Sequence, residues 1–255
     1  MRYLVTLVIW SFSLSAWAQD WEDQQIFGAE NSTKTLRITS STDTALFAPI
    51  IEDFIAQNPN VSVEYMVTST SDLDRRFRLH PHRFDIVISS AMDLQLKLAN
   101  DNFALPLTNI THPSWAQWRQ SLFAFSAESA TIVINRLAFA DQPIPETRQD
   151  LIKILRSQPE KFRGKIGTYD IRQSGLGYLF ATQDARTSET FWRLMEVMGG
   201  LDMRLYCCSS DMIKDLTDGT ITVAYNVLGS YASVQVENKE NLHIIVPSDL
   251  SLIHI

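Results

Sequence analysis

Apolar positions along this chain switch repeatedly between a period of two and a period near 3.6. Leu36-Arg37-Ile38-Thr39-Ser40 alternates, which predicts a strand, and Leu46, Phe47, Ile50, Ile51, Phe54 and Ile55 then recur at helical spacing. Pro49 falls early in that helix, where it is expected to bend it, and Asn58-Pro59-Asn60 ends it. Val61, Val63, Tyr65 and Val67 alternate as a second strand. The cap-rich run Ser69-Thr70-Ser71-Asp72 then starts a basic helix to about Leu79, broken by His80-Pro81-His82. Arg75, Arg76 and Arg78 are expected on its solvated face. Phe84–Ile88 is nearly all apolar, the pattern of a buried parallel strand, and Ser89-Ser90 leads into a helix through Leu94, Leu96 and Leu98.

The second half repeats the alternation. Trp115–Trp118 opens an aromatic stretch expected to pack, and Phe123–Ser126 and Thr131–Asn135 read as extended segments crossing between lobes. Thr147 caps a helix that Pro159 ends; Lys165–Thr168 is a strand; Ser188–Met198 is a helix stopped by Gly199-Gly200. Met203–Cys207 and Ile221–Tyr225 are strands, and His243–Val246 is the last. Trp21–Lys34 reads as a loose leader. Strand and helix alternate, a crossing segment intervenes, and strand and helix alternate again, which predicts an α/β protein of two lobes with a cleft between them.

Composition narrows the setting. The 255 residues carry a formal net charge of −7, so the broad basic footprint of a nucleic-acid binder is missing. Arg2, the apolar run Leu4–Ile9 and the small-x-small triplet Ala16-Trp17-Ala18 have the form of a secretory signal, with cleavage expected after Ala18 and export to the periplasm. The two cysteines, Cys207 and Cys208, are adjacent. Two reduced, half-buried thiols are the first reading, a vicinal disulfide the second, and a metal site the third, because CC lacks zinc-site spacing and no His is close in sequence.

The candidate chemistry lies at strand ends. Ligands of open α/β sheets sit outside the carboxyl ends of the strands, and there this chain repeatedly places small hydroxyl residues: Ser41, Thr42 and Asp43 after the first strand, Ser89 and Ser90 after the third. In Gly164–Phe180 (GKIGTYDIRQSGLGYLF) a strand feeds a glycine-bearing turn, and Ser174-Gly175-Leu176-Gly177 opens a helix. Unpaired N–H groups at such a helix start favour an anion or an oxygen-rich ligand. Tyr169 and Asn226 are expected near by. Asp43 would repel an anion, so it is expected to cap its helix or to pair with a ligand amine. His80, His82, His112, His243 and His254 are scattered, and no GxSxG, HExxH, Walker A or GxGxxG motif occurs in a suitable context. No catalytic residue, metal ligand or cofactor is therefore assigned.

Five stretches carry a resemblance: Ser40–Phe54 (SSTDTALFAPIIEDF), Phe84–Leu96 (FDIVISSAMDLQL), Phe125–Arg136 (FSAESATIVINR), Gly164–Phe180 and Tyr225–Ala232 (YNVLGSYA). Together, in this order, they resemble periplasmic substrate-binding proteins of ABC importers, in the ferric-iron/phosphoglycerate-type branch of the type 2 binding-protein fold. The resemblance implies two lobes closing over a small solute, an inner-membrane ABC permease as partner, and a monomer; some relatives instead serve a membrane sensor kinase. Ferric-binding members carry paired tyrosines where this chain has Gly229-Ser230 and the single Tyr231, so the resemblance points to a phosphorylated or carboxylate solute rather than iron. The implied boundaries are a signal peptide at 1–18, a leader at 19–34, a first lobe at 35–122, a crossing at 123–135, a second lobe at 136–240 and a return crossing at 241–255. The family continues beyond Asp249, so a truncated carboxyl end is expected, with Leu250–Ile255 as non-native read-through.

Overall fold

The structure, a computed structural model, describes residues 21–249 except Asn238; the expected signal segment and Leu250–Ile255 lie outside the described residues. The first lobe runs β1 (Asp23–Phe27), β2 (Lys34–Ser40), α1 (Thr44–Gln57), β3 (Val61–Val67), α2 (Thr70–Leu79), β4 (Ile86–Ile88) and α3 (Met92–Asn100). Its sheet has the order β1-β3-β2-β4. β2 lies parallel to both β3 and β4, with Ile38 opposite Tyr65 and Ile86, and β1 is antiparallel to β3. Ile38, Ile51, Val63, Tyr65 and Val67 form one core under α1; Met66, Phe77, Phe84 and Leu98 form another on the opposite face.

A short hairpin, β5 (Gln117–Trp118) with β6 (Leu122–Phe123), precedes the second lobe. That lobe contains β7 (Ala130–Asn135), α4 (Arg148–Ser157), α5 (Pro159–Phe162), β8 (Ile166–Tyr169), α6 (Gly175–Thr187) and α7 (Glu189–Gly200). It continues with β9 (Arg204–Tyr206), α8 (Ser209–Thr217), β10 (Val223–Leu228), α9 (Gly229–Val236) and β11 (Leu242–Ile245). The sheet order is β11-β7-β10-β8-β9, parallel from β10 through β9 and antiparallel at β7. Both faces are covered, by α8 and α9 on one side and α4, α5 and α7 on the other.

A buried charge network holds the second lobe together. Arg148, at the start of α4, pairs with the Asp184 carboxylate on α6, and Tyr225 on β10 donates to the other Asp184 oxygen at 2.9 Å. Arg148 also donates to Ser188 Oγ at 3.0 Å and, through its backbone N–H, to Asp249 at 2.9 Å. The Arg148 and Asp184 side chains are 2% and 0% exposed.

Several local expectations are corrected. The stretch read as a loose leader contains β1, which borders β3 and packs Phe27 against the first-lobe core. Thr131–Asn135, read as a crossing segment, is an inner, wholly buried strand of the second sheet. Phe84–Ile88, read as buried, has Ile86 41% exposed, because β4 borders only β2 among the described residues. Arg76 and Arg78 are not simply solvated: Arg76 lies over the Trp21 ring, and Arg78 bonds Asp74 and Asp101. Trp115 does not pack; it is 84% exposed. α7 runs through Gly199 and Gly200, and Pro159 starts α5 as well as ending α4.

Candidate ligand cleft

The loops after β2 and β4 are laced together on the first lobe. Ser41 N–H donates to the Ile88 carbonyl at 3.0 Å, and Ser90 N–H donates to Ser41 Oγ at 3.3 Å. Ser89 Oγ accepts from Ala91 N–H at 3.2 Å, and Thr42 N–H donates to Ser40 Oγ at 3.0 Å. The Thr42 carbonyl accepts from Tyr65 Oη at 2.9 Å, and burial pushes the Tyr65 hydroxyl up to about 12. Asp43 occupies the amino-cap position of α1, but its side chain makes no cap bond. Its Oδ2 instead accepts from Tyr231 Oη of the second lobe at 2.9 Å.

On the second lobe Ser174 Oγ accepts from Gly177 N–H at 3.0 Å and so caps α6. Gly175 and Leu176 N–H both donate across the seam to Thr70 Oγ1, at 2.8 and 3.3 Å. A Cβ at Gly175 would stand 2.9 Å from Leu94 Cδ1 and 3.3 Å from Ala91 Cβ. Glycine here lets α2 and α3 of the facing lobe come close to the backbone.

Tyr169 and Asn226 lie behind this seam. Buried Tyr169 bonds the Ser209 hydroxyl at 2.6 Å. Asn226 sits at a bulge in β10 with φ +67°, and its buried Oδ1 meets no donor among the described residues. Both residues line a 540 Å³ cavity with Tyr178, Phe191 and Trp192. The structure therefore brings Ser41 to Ser90, and the α6 start to the first lobe beside Ala91, whereas Tyr169 and Asn226 face the second-lobe interior and its cavity.

The seam has an acidic end. Burial, then Asp43 and Asp211, raise Glu22 above the usual glutamate range. Burial and Asp43 push Tyr231 up. Cys207 and Cys208 are free and half-buried; the hydrogen bond with Cys208 draws Cys207 down and pushes Cys208 up.

The same fold is found in solved proteins. The substrate-binding protein of an ABC transporter from Agrobacterium tumefaciens superposes with a TM-score of 0.84 at 31% identity, over 88% of this chain and 69% of that one. The chain belongs to the ABC transporter substrate-binding proteins. This binding protein accordingly holds a small-molecule solute for a permease in the membrane. AfuA from Actinobacillus pleuropneumoniae, solved with exogenous fructose-6-phosphate, matches at a TM-score of 0.65 and 14% identity, over 85% of this chain and 70% of that one. Iron-bound HitA from Pseudomonas aeruginosa matches at 0.60 and 14%, over 83% and 69%. The proteins it resembles are binding proteins rather than enzymes. No family model and no curated protein matches the sequence.

Sequence reasoning missed Thr70, Glu22 and Asp211 at the seam. Thr70 stood in a run read only as a helix cap, and Glu22 in a stretch read as leader. Tyr231 entered only as a lone tyrosine where ferric-binding relatives carry two.

Proposed function

We propose that this protein captures a small phosphorylated or carboxylate solute in the inter-lobe cleft, in the periplasm and as a monomer after cleavage at Ala18, and presents it to an inner-membrane ABC permease. The first lobe supplies Ser41, Thr42, Ser89 and Ser90; the second supplies Ser174 and Gly175, with Tyr169 and Asn226 behind them. Hydroxyls and backbone N–H groups donate to solute oxygens. Asp43, at the acidic end with Tyr231, repels the solute's anionic group and so turns it toward α6.

The observation carrying this reading is the start of α6. Gly175 and Leu176 N–H converge on a single oxygen, at 2.8 and 3.3 Å. That is the geometry in which a helix start holds a phosphate or carboxylate oxygen. The sugar phosphate in AfuA gives a precedent on the same fold. Lobe closure is driven only by contacts that differ between open and closed states, so a solute gripped from both lobes is what closes them.

A thermal-shift panel tests the solute class. A bound ligand at about a hundredfold excess over its Kd stabilises by about 2.7 kcal/mol, roughly 5–10 °C for a domain of this size. The expected ranking puts phosphorylated and polycarboxylate three-carbon acids above ferric ion. A larger shift with ferric ion, accompanied by a tyrosinate charge-transfer band, would overturn it.

A further inference from the structure

We propose that Cys207, Cys208 and Asp211 form a binding site for a thiophilic divalent cation, of the zinc or cadmium class, at the amino end of α8. Adjacent cysteines have no zinc-site spacing by themselves; the fold supplies what the spacing lacks. The chain bends at Cys207 and Cys208 between β9 and α8, and both sulfurs lie within reach of one carboxylate. The first turn of α8 then brings the Asp211 carboxylate to them. Cys207 Sγ lies 3.5 Å and Cys208 Sγ 3.2 Å from Asp211 Oδ2, and the three ligand atoms all fall within 4.8 Å of one another.

These separations suit a tetrahedral ion. With metal–sulfur bonds of about 2.3 Å and metal–oxygen bonds of about 2.0 Å, the sulfur–oxygen edge of a tetrahedron is about 3.5 Å. Two thiolates and a carboxylate select a borderline or soft divalent ion over hard ferric ion. It is the one group of three such ligands in reach of each other among the described residues. Three protein ligands leave a fourth position for water. The site is also placed where a cation relieves charge: Glu22 of the facing lobe is within electrostatic reach of Cys207 and Asp211. Binding deprotonates both thiols, so a divalent ion displaces two protons and the proton count is fixed. The ion would share Asp211 with the acidic end of the seam, and its test, read from the two thiols, does not depend on which solute the thermal-shift panel selects.

The test uses the full chain, reduced with dithiothreitol, freed of it anaerobically and shown by thiol counting to hold both free thiols. Zinc ion is titrated by calorimetry in two buffers of different ionisation enthalpy, and the thiols are alkylated with and without the ion. The expected result is one equivalent bound, close to two protons released at a pH where both thiols start protonated, and both cysteines protected. Cadmium should add a sulfur-to-metal absorption band. Cys207→Ser and Cys208→Ser should each weaken binding by at least ~tenfold, and the exposed Asp211→Asn by about tenfold, a size usual for loss of one group at a metal site. Circular dichroism identifies any variant that fails to fold, and Asp211→Asn, a surface change, keeps the test open if a cysteine variant does. No binding to the thiol-counted protein, bound ion with both thiols still alkylated, or equal affinity in the folded variants would each overturn the site.

Discussion

Thr70→Val removes the one oxygen that two amides of the facing lobe share. Valine keeps the shape of threonine and loses only the hydroxyl, so it still fills the space beside Gly175. With the seam shut, Gly175 and Leu176 N–H, both buried, would have no acceptor. An unsatisfied buried donor costs about 1–3 kcal/mol. The 2.8 Å bond carries most of the present stabilisation and the 3.3 Å bond less, which gives about 2 kcal/mol for the pair. The protein can avoid that cost by parting the lobes and letting water reach α6. Amide hydrogen exchange reads the change directly. At about 1.4 kcal/mol per tenfold, exchange at these two amides should accelerate about 30-fold, while amides inside β3 and β10 keep their rates. Thr70→Ser, which retains the hydroxyl, should exchange nearly as the parent does. Unchanged exchange at Gly175 and Leu176 in Thr70→Val would refute the reasoning, since the amides would then have an acceptor other than the facing lobe.

Three further outcomes are expected. Ser174→Ala should cost about 1 kcal/mol in urea unfolding of the second lobe, because its hydroxyl caps α6. Asp184→Asn should cost about 3 kcal/mol by removing the buried counter-charge of Arg148, which then keeps only the part-exposed Asp249 carboxylate at 3.7 Å, whereas Tyr225→Phe, which deletes one donor to Asp184, should cost about 1 kcal/mol. The raised Glu22 holds its proton more tightly in the folded protein than in the unfolded chain. Stability from this group is therefore fully present below the ordinary glutamate value and lost as pH rises through the folded one; a melting-temperature series from pH 4 to 7 should lose that slope in Glu22→Gln.

The alternation of the pattern made the two sheets legible. Period-two runs such as Leu36–Ser40 and Val61–Val67 specify strands, and the helical repeat between them requires a parallel crossover. What stayed hidden depends on partners distant in sequence. The stretch holding β1 is polar and becomes a strand only because β3 offers an edge. Asp43 looks like a cap residue, and its carboxylate is drawn instead to a hydroxyl 188 residues away. Arg148 and Asp184 carry no mark of burial in the sequence and end in the core, because each finds the other. At the candidate site the hydroxyl clusters were legible from strand ends, but their bonding was not. Ser41 serves the Ser90 amide and Ser174 its own helix, which no single segment reveals.

On the proposed function, these contacts determine what a solute must do to bind. At the start of α6 the donors are already satisfied, by Thr70, so a solute oxygen gains only the difference between its own bond and the one it displaces. A neutral hydroxyl arriving there exchanges like for like, which gives little affinity. A carboxylate or phosphate oxygen replaces a neutral bond by a charge-assisted one, roughly twice as strong. The preformed seam thus selects by charge rather than by shape at that end. At the other end Glu22, Asp43 and Asp211 already crowd one another, and only a group that donates or carries positive charge lowers the energy there. Bound solute is consequently expected to lie in one orientation along the cleft. The Arg148–Asp184–Tyr225 network ties α4, α6 and β10 into one block, so the amino end of α6 moves with the whole second lobe.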